Sequence, residues 1–272
     1  LSAFADYHGT LPLLNDVQFI FYPDAGAALA AYQAGEVMGI SRIDAANIST
    51  ALQLPQLGVY TSLLPEYSLI YLNLQSNEVA FFQDKKVRQA LAMAIDRKTM
   101  AEQLYGQTGA PTCELVTTDP FISPSKIYGG VRKCEPDIDG AKKLLEEAGW
   151  KAGADGIRAK DGVKLKVKFL TSTNTLRQKE QALVKDAWAA IGVDTELLNV
   201  SSTVFFSTDA ANNDTIGKFF YDVQMYTNNY SQPDPTSYLC DFSTAETSSK
   251  ANGWRKANNI RYSNADYDKL CD

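Results

Sequence analysis

The stretch of sequence that decides the fold reads Phe82-Gln-Asp-Lys-Lys-Val-Arg-Gln-Ala-Leu-Ala-Met-Ala-Ile-Asp-Arg97. After Asp84, apolar residues recur three and four positions apart, at Val87, Ala90, Leu91, Ala94 and Ile95. An aspartate before such a run can accept hydrogen bonds from the first backbone N–H groups of a helix, and the spacing places the apolar side chains on one face. The stretch therefore predicts a helix with a buried face, and Asp96 predicts the start of a second helix.

Predicted strands and helices alternate on both sides of this stretch. Runs of apolar, β-branched and aromatic residues predict strands at 17–22, 67–74, 163–170, 193–200 and 219–227. The helical spacing of apolar residues predicts helices at 24–34, 138–148, 174–191 and 204–211. This alternation is typical of an α/β domain, in which helices cover a sheet.

The overall charge is acidic, because 26 Lys and Arg stand against 32 Asp and Glu, for a net charge of −6. A nucleic-acid-binding protein needs a clustered basic face, so this balance argues against that class. Lys164, Lys166 and Lys168 lie close together, but they alternate with apolar residues and are interpreted as the exposed face of a strand. The apolar runs of the sequence are too short to span a membrane.

Catalytic chemistry finds little support in the residue types present. The chain has 1 histidine, His8, which lies near the first residue, and the sequence shows neither zinc-site spacing nor a nucleotide-binding glycine loop. Asp222, Asp234 and Asp241 remain as candidates for a pair of catalytic carboxylates, although Asp234 stands between two prolines and is interpreted as a turn cap. We therefore expect no catalytic residue, no metal, no cofactor and no enzymatic activity.

The sequence contains 4 cysteines, Cys113, Cys134, Cys240 and Cys271, which lack the Cys-x-x-Cys spacing of a metal site. Cys113 and Cys134 bracket a segment rich in Pro, Gly and Ser, which a disulfide would close. We predict the disulfides Cys113–Cys134 and Cys240–Cys271; the alternative is a cytosolic protein with reduced cysteines. Paired cysteines would place the protein outside the cytoplasm.

Several segments together resemble the extracellular solute-binding proteins of family 5, which include oligopeptide and dipeptide receptors. The most specific segment is Phe82–Arg97, which is similar to the family pattern F.D.RVRQAL..AIDR. Other family motifs occur in the family's order and with similar spacing, at Pro23–Glu36, Ala141–Trp150, Trp188–Val193, Tyr221–Val223 with Pro233–Leu239, and Asn264–Leu270. The resemblance therefore covers nearly the whole chain.

The resemblance implies an α/β fold of the periplasmic-binding-protein-like type II, with a mixed sheet flanked by helices. Residues 1–64 would form the C-terminal part of a first lobe, and residues 65–272 would form the second lobe. The chain would cross a hinge near Ser62–Leu69. Members of the family are longer, so we expect the mature protein to have a larger N-terminal part and a C-terminal tail.

The same resemblance implies the substrate-binding component of an ABC import system. Such a protein captures a peptide or another small oligomeric solute by closing two lobes, and delivers it to the permease. Its partners would be the ligand and the transmembrane permease subunits, and not nucleic acid; it would be a monomeric, extracytoplasmic lipoprotein. Alternatives with the same architecture are an oligosaccharide-binding receptor and a ligand-sensing domain for signalling, and a third alternative is an enzyme that acts on glycosides.

The resemblance also implies a ligand-facing loop after the Tyr221–Val223 motif, formed by Asn228, Asn229, Tyr230 and Ser231. Peptide receptors of the family carry an aspartate, which pairs with the ammonium group of the peptide, at the position of Ser231. They often carry a tryptophan at the position of Asn228. A buried ammonium group without a carboxylate is costly, so these residues favour an uncharged ligand, such as a sugar or a modified peptide.

Tyr71 and Asn73 are second candidates for ligand binding, because they lie on the strand that leaves the predicted hinge. Structural roles stay open for all of these residues. The segment from Asn228 to Ser231 could form a polar surface turn, and Tyr71 and Asn73 could make their hydrogen bonds within the sheet. The sequence alone does not choose between these roles, since the choice depends on which segments pack against each other.

Overall fold

The computed structural model describes residues 1–44, 47–60, 66–75, 80–106, 109, 111–113, 115, 135–209, 211–229 and 234–271. The chain divides into two compact units, Leu1–Thr61 and Ser62–Asp272. The larger unit contains the sheets and nearly all of the buried apolar residues. Within the described residues, no helix has both the length and the apolar composition that a membrane span requires.

In the described part of the first unit, the chain forms the helices α1 (Ala25–Gln33) and α2 (Ile48–Leu52). Asp24 caps α1, because its carboxylate accepts a hydrogen bond from the Ala27 N–H group at 2.8 Å. The prediction of a strand at 17–22 was wrong. An isolated bridge joins Ser2 to Asp16, and in the described part of the chain the backbone pairing does not continue past Val17. A strand needs a neighbouring strand to satisfy its backbone hydrogen-bonding groups.

The second unit contains, in chain order, β1 (Glu66–Leu72), α3 (Lys85–Met93), α4 (Arg97–Tyr105), α5 (Ile138–Glu147), β2 (Lys151–Ala152), β3 (Arg158–Lys160), β4 (Val163–Lys164), β5 (Lys166–Ser172), α6 (Thr175–Ala189), β6 (Asp194–Val200), α7 (Ser202–Phe205), β7 (Val223–Asn229), α8 (Thr236–Cys240) and α9 (Ala265–Asp268). One sheet has the strand order β1-β7-β5-β6, and β2, β3 and β4 form a small separate sheet. β1 is antiparallel to β7, whereas β7, β5 and β6 are parallel. The predicted α/β fold with a mixed sheet flanked by helices is confirmed.

The helix predicted from Phe82–Arg97 is present as α3 and packs against the sheet through its apolar face. Asp84 caps it, since the Lys86 N–H group donates to the Asp84 carboxylate at 2.8 Å. The apolar side chains of this face, including that of Leu91, are almost completely buried. Trp188 of α6 donates its indole N–H group to the Leu91 carbonyl oxygen at 3.0 Å, which joins the two helices within the core.

Asp222 immediately precedes β7 and forms hydrogen bonds with the backbone of two neighbouring segments. Its buried carboxylate accepts a hydrogen bond from the Lys168 N–H group of β5 at 2.7 Å, and its carbonyl oxygen accepts one from the Asn73 N–H group at 2.9 Å. Asp234 follows the other end of β7, where its carboxylate accepts from the Thr236 N–H group at 2.8 Å. Both carboxylates thus accept hydrogen bonds from backbone N–H groups, which favours structural roles over paired acid and base catalysis.

The buried guanidinium group of Arg158 ties the small sheet to the ends of two helices. It donates to the carbonyl oxygens of Ile191 at 2.9 Å and Trp150 at 2.8 Å, which lie just beyond α6 and α5. A third hydrogen bond reaches the exposed carboxylate of Glu146 at 3.1 Å. Ile191 and Trp150 are both buried, so Arg158 supplies donors to carbonyl groups that are shielded from water.

Replacing Arg158 with Met should remove these bonds while keeping an apolar side chain of similar reach. We expect the free energy of unfolding to fall by about 3 kcal/mol, because buried carbonyl groups lose their donor. Urea unfolding followed by circular dichroism measures the change. The same substitution at Arg255, which is exposed, is the control and should change stability by less than about 0.5 kcal/mol. Equal losses in the two variants would contradict the role of Arg158.

The predicted disulfide between Cys240 and Cys271 is present, with Cα atoms 5.5 Å apart and a sequence separation of 31. Hydrogen bonds reinforce it, since Tyr267 of α9 donates its hydroxyl group to the carbonyl oxygen of Leu239 in α8 at 2.5 Å. The disulfide and this bond together hold α8 against the end of the chain. Cys113 is also disulfide-bonded, and its predicted partner Cys134 lies outside the described residues.

The double variant Cys240→Ser/Cys271→Ser should unfold at lower urea concentration than the native protein. Closing a loop of this length lowers the entropy of the unfolded chain, which corresponds to about 3 to 4 kcal/mol of stability. Urea unfolding without reductant measures the loss. A double variant as stable as the native protein would show that α8 and α9 do not need the covalent link.

Candidate functional site

The carboxyl ends of β5, β6 and β7 lie at one edge of the sheet, because these strands are parallel. β1 runs in the opposite direction, so its first residue, Glu66, pairs with Asn229, the last residue of β7. In open α/β sheets, ligands bind outside the carboxyl ends of the strands. We name this part of the second unit the carboxyl edge, and it is where a small molecule is expected.

Two of the predicted binding residues lie at the carboxyl edge. Asn228 is half-buried; its side-chain nitrogen donates to the Tyr71 hydroxyl oxygen at 3.4 Å, and its side-chain oxygen accepts from the Asn229 N–H group at 3.0 Å. Asn229 is exposed. Tyr230 and Ser231 lie outside the described residues. The structure therefore brings Asn228 into contact with Tyr71, although the two are far apart in the sequence.

The tyrosine cluster, defined as Tyr67, Tyr71, Tyr226 and Tyr238, covers one face of the β1–β7 pair. The rings of Tyr71 and Tyr226 stack, with centroids 4.7 Å apart and an angle of 12° between the planes. Tyr67 and Tyr238 meet edge to face with centroids 6.1 Å apart. Alternate residues of a strand point to the same face, which explains why Tyr67 and Tyr71 lie on one side of β1.

Burial raises the pKa of three hydroxyl groups of the tyrosine cluster, those of Tyr71, Tyr226 and Tyr238. Burial raises the pKa of Tyr71, and the neighbouring Tyr226 raises it further. The pKa of Tyr226 and that of Tyr238 are also raised, in both cases chiefly by burial. Asn259 donates a hydrogen bond to the Tyr226 hydroxyl oxygen at 3.1 Å. The tyrosine cluster therefore contributes neutral donors and acceptors, rather than charge, behind the carboxyl edge.

Asn73 uses the full hydrogen-bonding capacity of its side chain within the protein. Its side-chain nitrogen donates to the carbonyl oxygens of Phe219 at 2.8 Å and Tyr221 at 3.1 Å. Its side-chain oxygen accepts from the Gln75 N–H group at 3.1 Å and from Arg261 at 3.3 Å. These bonds occupy both donors and both lone pairs of the amide. The geometry of Asn73 therefore favours a structural role over ligand binding.

A polar cluster, defined as Ser68, Tyr105, Arg177 and Glu180, surrounds the buried carboxylate of Glu180 beside the start of β1. Arg177 forms an ion pair with Glu180 in the first turns of α6, and the Glu180 side chain is only 2% exposed. Glu180 also accepts hydrogen bonds from the hydroxyl groups of Tyr105 at 2.5 Å and Ser68 at 3.0 Å. The opposite charge and the two donors offset the cost of burying the carboxylate. The pair adds no net charge near the carboxyl edge.

Sequence reasoning identified Tyr71 but missed Tyr67 and Tyr226. Tyr67 and Tyr71 are separated by an even number of positions, which was a signal that they share one face of a strand. The sequence carries no sign that the ring of Tyr226 stacks on that of Tyr71. The polar cluster was also missed, because its members come from three elements that are far apart in the sequence, namely β1, α4 and α6. Among the described residues, no group of three or more His, Cys, Asp and Glu side chains is arranged to hold a metal ion.

The Tyr71→Phe variant should lose less stability at alkaline pH than the native protein. A tyrosine ionises near pH 10 in the unfolded chain, whereas the raised pKa keeps Tyr71 protonated in the folded protein. The contribution of Tyr71 to the free energy of unfolding is therefore fully present below about pH 10. It falls as the pH rises above this value, because ionisation then favours the unfolded chain. Between pH 10 and pH 11, we expect the native protein to lose about 1 kcal/mol more than the variant.

Urea unfolding at the two pH values measures this difference. Tyr7→Phe is the matched control, since Tyr7 is exposed, and this variant should follow the native pH dependence. If the Tyr71 variant also follows the native pH dependence, then Tyr71 is not held neutral by burial.

The family model of bacterial extracellular solute-binding proteins, family 5 Middle, matches residues 1–250. The chain is 34% identical over 208 residues to the oligopeptide-binding protein AppA of Bacillus subtilis (strain 168), an alignment that covers 75% of this chain and 37% of AppA. The structure of AppA from Bacillus subtilis in complex with a nonapeptide matches with a TM-score of 0.74 and 29% identity, over 99% of this chain and 50% of AppA. NikA from Brucella suis in complex with Fe(III)-EDTA shares the fold, with a TM-score of 0.71 and 20% identity, over 97% of this chain and 48% of NikA.

The chain spans about half the length of these solved structures and 37% of the curated AppA sequence. Within that span, the family model covers the first unit and most of the second. The resemblance inferred from the motifs is therefore confirmed, and the chain belongs to the bacterial extracellular solute-binding proteins of family 5.

Proposed function

We propose that the whole protein is the substrate-binding component of an ABC import system. It captures a peptide or another small oligomeric solute by closing two lobes, and releases it unchanged to the permease. Membership of the family and the similarity to AppA, whose structure contains a nonapeptide, support this function. The observation that carries the proposal is the carboxyl edge, where the exposed Asn229 and the half-buried Asn228 adjoin the start of β1.

The division of the chain supports the two-lobe mechanism. In our proposal, residues 1–64 belong to the first lobe, residues 65–272 form the second, and residues 62–69 act as a hinge. The boundary between the two compact units falls between Thr61 and Ser62, next to this segment. A hinge in this position includes the first residues of β1, which pair with the last residues of β7 at the carboxyl edge. The protein acts as an extracytoplasmic monomer and is anchored as a lipoprotein.

The ligand is a peptide or an oligosaccharide that offers an uncharged group to the second lobe. Asn228, Asn229, Tyr230 and Ser231 supply the binding groups, and none of these side chains carries a charge near pH 7. The buried groups described behind them add no net charge, because Tyr71 stays neutral and Arg177 is paired with Glu180. Among Asn228, Asn229, Tyr230 and Ser231, a ligand ammonium group would find no carboxylate partner, and burying it without one costs binding free energy.

Tyr71 acts through Asn228 and not directly on the ligand. Its hydroxyl oxygen accepts the hydrogen bond from the Asn228 side chain, and its ring is fixed by the stack on Tyr226. A side chain whose rotamer is held in this way loses less entropy when it binds a ligand. Tyr71 is therefore proposed as a positioning residue for Asn228, and Asn73 is proposed as a structural residue at the other end of β1.

A thermal-shift screen of the full-length protein tests the ligand class. The probes are a set of di- to pentapeptides with free amino termini, the same peptides with acetylated amino termini, and a set of oligosaccharides. We expect acetylated peptides or oligosaccharides to raise the melting temperature more than the free peptides do, because a ligand that binds only the folded state stabilises it. Strong stabilisation by free peptides alone would contradict an uncharged ligand end.

The Ser231→Asp variant sharpens the test, because it supplies the carboxylate that the peptide receptors of the family carry. We expect it to tighten the binding of free peptides by roughly tenfold or more, as one hydrogen bond to a charged group contributes about 1.5 to 3 kcal/mol. The acetylated peptides are the matched control, and their affinity should not increase. Calorimetric titration measures both. No gain for free peptides would show that Ser231 does not face the ligand's amino end.

A further inference from the structure

The last residues of β7 have a neighbouring strand on one side only. β1 pairs with every residue of β7, up to Asn229, which lies opposite Glu66. The parallel ladder between β5 and β7 is shorter, because its last pair joins Leu170 to Gln224. In the described part of the chain, residues 225–229 therefore have their strand partner in β1 alone. A shift of β1 would carry these residues with it.

The side chains of Thr227 and Asn228 do not link β7 to a strand other than β1. The Thr171 hydroxyl group of β5 donates to the Met225 carbonyl oxygen at 2.7 Å, so β5 still holds β7 at that residue. The Thr227 hydroxyl oxygen is buried and has no hydrogen-bond partner within the described residues. The Asn228 side chain donates to Tyr71, which itself belongs to β1. The position of the end of β7 therefore depends on that of β1.

The polar cluster holds β1 in turn, through Ser68, which lies opposite Thr227. The Ser68 hydroxyl group donates to the Glu180 carboxylate at 3.0 Å, and its oxygen accepts from Arg177. It also lies 3.2 Å from the Tyr105 hydroxyl oxygen. Ser68 is exposed, whereas the Glu180 side chain is 2% exposed, so the strand is tied to a buried charged group. The partners of Ser68 come from α4 and α6, and two helices therefore hold the start of β1.

The ion pair between Arg177 and Glu180 has a use other than stability. Apolar residues of similar volume in place of a buried pair often leave stability unchanged or raise it, because removing two charges from water offsets their attraction. A buried pair with directional hydrogen bonds can instead specify one arrangement of the groups around it. Here these groups include Ser68, within the proposed hinge at residues 62–69. A strand that starts in a hinge needs an anchor if its register is to survive lobe closure.

We propose that Glu180 is a positioning residue for Asn228 and Asn229 and acts through Ser68. By holding Ser68 against α6, it fixes the start of β1, and the register of β1 with β7 then fixes the two asparagines. The inference rests on the proposed function, in which the asparagines bind the solute. It gives the polar cluster a role in solute binding, although none of its members is among the proposed ligand-binding residues.

Hydrogen–deuterium exchange of the full-length receptor, without any solute, tests the link from Glu180 to β7. Ser68→Ala removes the hydrogen bond to Glu180 and leaves the ion pair with Arg177 in place. We expect exchange of the backbone N–H groups at 226–229 to become about tenfold faster, as for the loss of one hydrogen bond to a charged group. Ser68→Thr keeps a hydroxyl group and should restore native exchange.

Ser248→Ala is the matched control for the loss of a serine hydroxyl group. Ser248 is buried, and its hydroxyl group donates to the Gly217 carbonyl oxygen at 2.8 Å, away from β1. Exchange at 226–229 should stay native in this variant. Native exchange at 226–229 in Ser68→Ala, or the same acceleration in Ser248→Ala, would overturn the proposal.

The variant Arg177→Met/Glu180→Leu separates positioning from stability. Urea unfolding should give a free energy of unfolding equal to or above that of the native protein. Exchange at 226–229 should nevertheless rise as in Ser68→Ala, because Ser68 has lost its acceptor. Adding Ser68→Ala to this variant should accelerate exchange no further, since both changes remove the same hydrogen bond. Fully additive effects would show that Ser68 and Glu180 act independently, against the proposal. If this variant does not fold, Ser68→Ala decides alone.

Calorimetric titration measures the consequence for solute binding, with the acetylated peptides and the oligosaccharides of the thermal-shift screen as probes. We expect Ser68→Ala to weaken their binding by about threefold to tenfold, because the binding groups are no longer held before the solute arrives. Ser68→Thr and Ser248→Ala should bind as the native protein does. Faster exchange at 226–229 with native affinity would overturn the role in binding. If no probe binds the native receptor, the proposed function fails, whereas the exchange result still decides the link from Glu180 to β7.

Discussion

The antiparallel pairing of β1 with β7 is the constraint on which the rest of the second unit depends. The register runs from Glu66 opposite Asn229 to Leu72 opposite Val223. It joins a strand near the boundary of the two units to one that lies more than 150 residues later in the chain, as the contact between Tyr71 and Asn228 at a separation of 157 residues shows. A shift of this register by one residue would move every side chain of β1 to the other face of the sheet.

Both ends of the β1–β7 ladder are closed by polar groups with specific partners. At the amino end of β7, Asp222 and Asn73 bond the backbone of the neighbouring segments. At the carboxyl edge, Ser68 donates to the buried Glu180, which is neutralised by Arg177. Buried polar groups without partners would cost stability, so these contacts fix the strand ends as well as satisfying the groups themselves. The ladder is therefore held at its ends and through its length.

The two faces of the sheet have different chemistry, and the difference matters for function. One face is apolar and packs under α3, α5 and α6, with residues such as Phe169 and Val223 fully buried. The other face carries the tyrosine cluster, in which hydroxyl groups accompany the rings. Aromatic side chains with a polar end suit a boundary between a core and a wet surface. Behind the carboxyl edge, the buried carboxylate of Glu180 is paired with Arg177, so these two groups add no net charge there.

The fold by itself does not determine the ligand. AppA with a nonapeptide and NikA with Fe(III)-EDTA have the same fold as this chain. Function therefore has to be argued from the side chains at the site and their charges. In this protein, the described side chains at the end of β7 are those of Asn228 and Asn229, which are uncharged amides.

The sequence alone was sufficient for the longer helices with clear caps and for the family. Asp84, Asp96 and Asn174 each precede an apolar pattern of helical spacing, and each caps the helix that the pattern predicts. Caps and periodicity act over a few residues, so their effect does not depend on distant segments. The family motifs extend along nearly the whole chain, which is why the assignment did not need coordinates. The disulfide between Cys240 and Cys271 was also predicted correctly.

Two local predictions failed because neighbouring groups override local patterns. The apolar segment at 17–22 has no partner strand among the described residues. The helix predicted at 204–211 ends at Phe205, because Asn212 donates to the Val204 carbonyl oxygen at 2.8 Å and the polar residues after Phe206 bond their own backbone. A strand exists only if another segment pairs with it, and a helix continues only if no side chain competes for its backbone groups.

Tertiary structure alone decided which residues of the predicted site meet. It placed Asn228 against Tyr71, stacked Tyr71 on Tyr226, and used Asn73 entirely within the protein. Strand register, burial and the partners of buried polar groups are set by segments far apart in the sequence, and residue spacing carries no record of them. The sequence therefore determined the capped helices with clear periodicity and the family, whereas packing between distant segments decided which side chains meet at the carboxyl edge.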